Sequence, residues 1–162
     1  VQDGIIMSLY GLNDFISAVD FSGKVIANFD TTEIGWRMLT DYYYQSGILY
    51  SAAMGYRKLI DLLPSDPNLY FFYTTTLQQN HQQEKALTFL DSLITNNPKN
   101  YIPFQAKAYL YLEAKDSLNG VINIEKAMEN GLRDNKLLDI AGTYWWTRDQ
   151  EKWEYMKRYV SQ

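Results

Sequence analysis

Few residues in this chain have the types and spacing that chemistry needs. Its single histidine, His81, stands among Asn80, Gln82 and Gln83. That setting reads as a polar turn, with the imidazole solvated or capping rather than acting as a base or ligand. There is no cysteine, which removes disulfides, thiolate metal sites and cysteine nucleophiles together. A metal site needs several histidines, cysteines or carboxylates to converge, and here the carboxylates are spread singly. A pair such as Glu151 and Glu154 suits solvated helix charges at i,i+3 better than a general acid and base. No HExxH, no glycine-rich phosphate loop and no GxSxG occurs. The expectation is a chain that is not an enzyme and carries neither metal nor cofactor.

What the sequence offers instead is rings and amides. Aromatic residues make up 15% of the 162 positions, 14 of them tyrosines. Tyrosine has an apolar ring and a polar tip, and suits a half-buried place along a groove. With 46% hydrophobic and 21% charged residues, the composition is that of an ordinary folded chain. The net charge is −4, and the 15 lysines and arginines are scattered, so the basic stripe of a nucleic-acid binder is missing and no nucleic-acid partner is expected. No apolar run approaches the ~18 residues of a membrane span. The absence of cysteine suits a cytoplasmic and a periplasmic protein alike, so the compartment stays open. Because the chain opens on Val1, a processed form or a piece of a longer protein is expected.

The elements that position these groups repeat every 34 residues. Leu59–Asp66 and Leu93–Asn100 align residue for residue, with Pro64 and Pro98 at the same place. Steps of 34 residues forward and back reach Ala127–Asp134 and Val25–Thr32. Each segment reads as a helix end, a turn and a new helix start, which is the mark of a repeat array. Asp66 before Pro67 is an N-cap with proline in the first turn; Asn100, Asp134 and Thr32 can cap likewise. Breaks in mid-period fall at Asn13-Asp14, Ser46-Gly47, Asn80-His81, Lys115-Ser117 and Thr147-Asp149. The spacing predicts helices over 2–12, 14–28, 33–46, 49–63, 67–80, 83–96, 101–114, 118–130, 135–147 and 150–161. Apolar residues recur at helical spacing, as in Ala86, Leu87, Phe89, Leu90, Leu93 and Ile94. One hairpin cannot bury such a face alone, so neighbours must pack.

On these residues the chain resembles the tetratricopeptide repeat (TPR) family, a 34-residue helix–turn–helix unit. With Glu33 as the first position of one unit, Trp36, Leu39, Tyr43, Ala52, Tyr56 and Pro64 fall on that family's pattern, and Thr40 is a weak match. The unit from Pro67 supplies Tyr70, Thr74, Ala86, Leu90 and Pro98, and the unit from Tyr101 supplies Phe104, Ala108, Tyr111, Gly120, Ala127 and Leu132. The unit from Asn135 keeps Ala141, Gly142 and Trp145 before drifting. The resemblance implies an all-α fold, a right-handed superhelical stack of antiparallel helix hairpins (an α-solenoid). It would comprise five hairpins, ten helices, in one domain with units near 1–32, 33–66, 67–100, 101–134 and 135–162. Small residues such as Ala52, Ala86, Ala108 and Gly120 would sit where helices cross closely.

The resemblance also implies that the first helix of each unit lines a concave groove. Carried over position by position, the groove set includes Arg37, Asp41, Tyr44 and Gln45, then Phe71, Thr75 and Gln78. It continues with Gln105, Tyr109 and Leu112, and ends with Asp139, Thr143 and Trp146. Met38, Phe72, Gln79, Ile102 and Ala106 occupy further groove positions. The family's clamp for a peptide C-terminal carboxylate would need basic and amide side chains where Arg37, Asp41, Phe72, Ile102 and Ala106 stand; only Arg37 keeps the charge. A groove of rings and amides suits a partner protein or peptide segment. The alternative is a sugar polymer in a bacterial envelope export system, and a third reading is a structural spacer in a longer solenoid. The apolar first hairpin, with Ile5, Ile6, Met7, Leu9, Tyr10 and Leu12, suggests self-association.

Overall fold

A computed structural model describes residues 15–28 and 33–159. The predicted helix over 2–12, the Thr32 cap and the apolar first-hairpin surface lie outside those residues. The chain forms two compact units, Val1–Gln83 and Glu84–Gln162. The first contains α1 (Phe15–Asn28), α2 (Glu33–Gln45), α3 (Leu49–Leu62) and α4 (Pro67–Gln79). Helix α5 (Gln83–Asn96), all but its first residue, opens the second, which continues with α6 (Tyr101–Glu113), α7 (Ser117–Glu129), α8 (Asn135–Trp146) and α9 (Gln150–Met156). The described residues contain no strand. Eight of these helices begin and end within one residue of the ranges that the spacing predicts. The ninth is shorter than predicted: α9 stops at Met156, and Lys157–Tyr159 tighten into a 3₁₀ turn, a common way to end a helix.

Three helix starts are held by the caps that the sequence nominates, and that of α9 by Asp149, which the sequence places only in a break. The Asp66 carboxylate accepts a hydrogen bond from the Asn68 N–H at 3.0 Å, and Asn100 Oδ1 accepts one from Ile102 at 3.0 Å. Asp134 and Asp149 do the same for Leu137 and Lys152, each at 3.1 Å. Each such cap satisfies a backbone donor that the first helical turn leaves orphaned.

The mid-period turns also share one backbone geometry. Gly47, His81 and Lys115 lie 34 residues apart and have φ of 73°, 57° and 62°. In each turn the following N–H reaches back five residues: Ile48 to Tyr43, Gln82 to Leu77 and Asp116 to Tyr111, at 2.7 to 2.9 Å. This is the left-handed helix stop that glycine fills without strain. His81 is therefore a turn residue, exposed to solvent.

Small residues lie where the crossing requires them. Ala52, Ala86 and Ala108 are wholly buried. In the first unit a Cβ added to Gly55 of α3 would stand 2.0 Å from Thr40 Oγ1 of α2. Thr40 is bulkier than the small residue the repeat prefers, and Gly55 opposite it makes the room. In the second unit a Cβ on Gly120 would meet Leu112 Cδ2 at 2.8 Å, and one on Gly142 would meet Trp153 Cζ3 at 2.8 Å. The second unit's core gathers Phe104, Val121, Ile124, Met128, Leu137, Leu138, Trp145 and Met156. Helix α9 is further tied down by Lys152, whose Nζ lies 4.0 Å from the Trp145 ring and 3.8 Å from a Glu125 carboxylate oxygen.

Two substitutions test this geometry. Gly55→Ala should destabilise the fold by about 1–3 kcal/mol despite alanine's better helix propensity, because the methyl group overlaps Thr40; adding Thr40→Gly should restore part of the loss in thermal melts. Equal melting of Gly55→Ala and the parent would contradict the crossing. His81→Gly should stabilise by roughly 0.5–1 kcal/mol, by relieving the left-handed turn, and a lowered Tm would contradict that assignment.

Candidate functional site

In the first unit the candidate residues lie on α2 and α4. Arg37 donates to Glu33 at 2.8 Å and to Asp66 at 3.4 Å, so its charge is shared with its own helix and with the cap of α4. Asp41 keeps solvent contact, yet desolvation of its carboxyl raises its pKa, and the Arg37 charge opposes the rise. Tyr44 is half-buried and its hydroxyl accepts a hydrogen bond from Gln79 Nε2 at 3.2 Å. Its ring meets Tyr56 edge-on at 6.3 Å, and Tyr56 stacks on Phe72 at 5.6 Å. Phe71 is half-buried with its ring 5.5 Å from that of Phe72, which is 42% exposed. Gln45 is exposed at the end of α2, and Thr75 and Gln78 are half-buried. Met38 is in the core, packed against Phe21 and Ile34.

In the second unit the candidates lie on α6 and α8. Ile102 and Ala106 are buried, so these groove positions serve packing. Gln105 hydrogen-bonds Tyr109, whose phenol pKa is raised first by burial and then by Asp134. The other oxygen-bearing end of that amide is enclosed: Gln105 Oε1 is buried without a donor among the described residues. Leu112, Asp139 and Thr143 line one open cavity of about 510 Å³ together with Ile140, Tyr144 and Arg148. Asp139, Thr143 and Trp146 line a second, of about 190 Å³, together with Gly142, Trp153 and Met156. Asp139 and Thr143, one helical turn apart and both exposed, thus form a ridge between two cavities. Trp146 is 56% exposed and meets Trp153 edge-to-face at 5.4 Å.

Two of the aromatic contributors lie outside the first helices. Tyr56 and Trp153 belong to second helices, α3 and α9, and reach the candidate faces by ring contact. The aromatic content of those helices is visible in the sequence; their reach depends on the crossing. Among the described residues no group of three histidines or carboxylates could hold a metal, and no helix is long and apolar enough to cross a membrane.

The Tyr56 phenol is pushed up to about 12, mainly by burial and further by Asp41 and Tyr44. An unfolded tyrosine ionises near 10. Below that pH both states hold the proton. Between about 10 and 12 the unfolded chain ionises first, and stability falls by ~1.4 kcal/mol per pH unit. Tyr56→Phe should flatten the decline in denaturation midpoint across this window relative to the parent chain. Parallel declines would show that the phenol is not held neutral.

No family model and no curated protein matches the sequence, but solved structures resemble the fold. MamA from Desulfovibrio magneticus superposes with a TM-score of 0.58 at 12% identity, covering 99% of this chain and 89% of that one. A thermophilic TPR protein of Thermus thermophilus gives 0.57 at 16% identity, over 88% and 78%. YrrB, described as a TPR protein with an unusual peptide-binding site, gives 0.54 at 14%, over 98% and 82%. Such likeness speaks for architecture, and it agrees with the repeat register, the buried small residues and the recurring turns. The chain has the all-α fold of the tetratricopeptide-repeat proteins.

Proposed function

We propose that the chain is a non-enzymatic scaffold that holds an extended segment of a partner protein against its first-helix faces. The observation that carries this reading is the α8 ridge. Asp139, Thr143 and Trp146 are exposed on one helix face, and cavities of about 190 and 510 Å³ flank the first two. Neighbouring hollows can take successive side chains of an extended peptide, while hydroxyl and carboxylate groups between them accept its backbone N–H groups. An exposed tryptophan at the rim is the kind of residue that anchors a protein interface. The fold supports the reading, since one structural neighbour is described as peptide-binding. On the first unit, the Tyr44–Gln79 pair and exposed Phe72 offer a second surface of rings and amides.

A library of random linear peptides selected on the immobilised protein tests this. Enriched peptides should bind at least ten-fold more weakly to a variant carrying Asp139→Ala, Thr143→Ala and Trp146→Ala, with Tm nearly unchanged because all three side chains are exposed. Absence of enrichment over an unrelated helical protein, or equal affinity for the variant, would sink the proposal.

A further inference from the structure

Resting on the α8 ridge as a binding face, we infer that the smaller cavity beside it takes a cationic side chain, an arginine or lysine of the partner segment. Its size argues for one side chain. At about 190 Å³ it falls below the ~300–1,000 Å³ typical of small-molecule sites. Its walls are Leu138, Gly142, Met156 and the two indoles, with Thr143 and the Asp139 carboxylate supplying the polar edge. The indoles stand 79° apart with centroids separated by 5.4 Å, so they form two walls near a right angle. An aliphatic stem fits such walls, and an indole face attracts the charge at its end.

The neighbouring rings show the same chemistry already satisfied within the chain. Arg148 lies 4.3 Å over Tyr144, Lys152 lies 4.0 Å over Trp145, and Lys157 lies 5.6 Å over Trp153 while pairing with Glu154 at 2.5 Å. Trp146 is the exception in this cluster: no cation of the described residues covers its ring. Asp139 is likewise without an ion pair or hydrogen bond among those residues, and Lys136, one turn earlier, makes no ion pair with it. An uncovered indole and an unpaired carboxylate therefore border the same cavity. A neutral apolar side chain would fill the volume and leave both unanswered; a cation answers both. An exposed ion pair alone contributes little, so the ring and the enclosed stem must act together with Asp139.

The test uses n-butylguanidinium, with 1-pentanol as a neutral probe of similar length, titrated into ¹⁵N-labelled protein while the indole N–H resonances are followed. Butylguanidinium should shift the Trp146 and Trp153 signals saturably and leave Trp36 unmoved. Asp139→Asn should weaken that binding at least three-fold, and Trp146→Ala should abolish the Trp153 shift. Equal affinity for pentanol, indifference to Asp139→Asn, or no indole shift would overturn the inference; the first two would mark a plain apolar hollow of the kind a further helix fills. The scaffold reading is judged separately. Selected peptides that lack arginine and lysine but lose binding to the triple alanine variant would uphold it and remove the cationic anchor.

Discussion

The close approach of paired helices is the constraint from which the rest of this structure follows. In three hairpins a glycine on one helix receives a bulkier side chain from the other: Gly55 faces Thr40, Gly120 faces Leu112, and Gly142 faces Trp153. The fit is steric, and the side that gives way varies. In the first two pairs the second helix supplies the glycine; in the last the first helix does. The spacing of the axes depends on the sum of the two side chains more than on either identity. Thr40 is consequently a weak match to the repeat pattern and still a good fit to its own partner.

Once the axes are fixed, the turns need only deliver the chain to the next helix at the right place. Left-handed residues at Gly47, His81 and Lys115, and side-chain caps at Asp66, Asn100 and Asp134, do this at a constant interval. That is why the helix boundaries were legible to within a residue. Stop and start signals are local, and they recur in register. The end of α9 was less legible because the 34-residue pattern offers no neighbouring segment to define it. A tightened turn, with the Tyr155 and Tyr159 hydroxyls 2.9 Å apart, takes its place. The only histidine has its explanation in the turn geometry, since histidine tolerates the left-handed region better than bulky or branched residues.

The candidate faces were legible in part. First-helix positions could be nominated because a repeat register converts residue number into direction. Asp139, Thr143 and Trp146 are exposed as that rule expects, whereas Met38, Ile102 and Ala106, at other first-helix positions nominated from the same register, are buried. The register gives the angle around the helix; whether that angle meets solvent or protein depends on the side chains packed nearby. The same limit explains Tyr56 and Trp153. They sit on second helices, and their rings reach the candidate faces only because a glycine or a small neighbour lets the helices come close.

This separation of duties makes the surface of α8 available for recognition. Leu137, Leu138, Ala141, Gly142 and Trp145 hold the helix to its unit, and they take up the positions that 3.6-residue periodicity turns inward. Asp139, Thr143 and Trp146 fall between them and contribute little to the core. An exposed indole is an unfavourable place to leave apolar area in contact with water, and its edge-to-face contact with Trp153 leaves it 56% exposed. Trp145, its neighbour, is buried and covered by Lys152, so adjacent tryptophans have opposite fates on one helix. The buried one is explained by the fold. The exposed one, beside a carboxylate without a counter-ion and a cavity of side-chain size, lies on the face that we propose a partner segment covers.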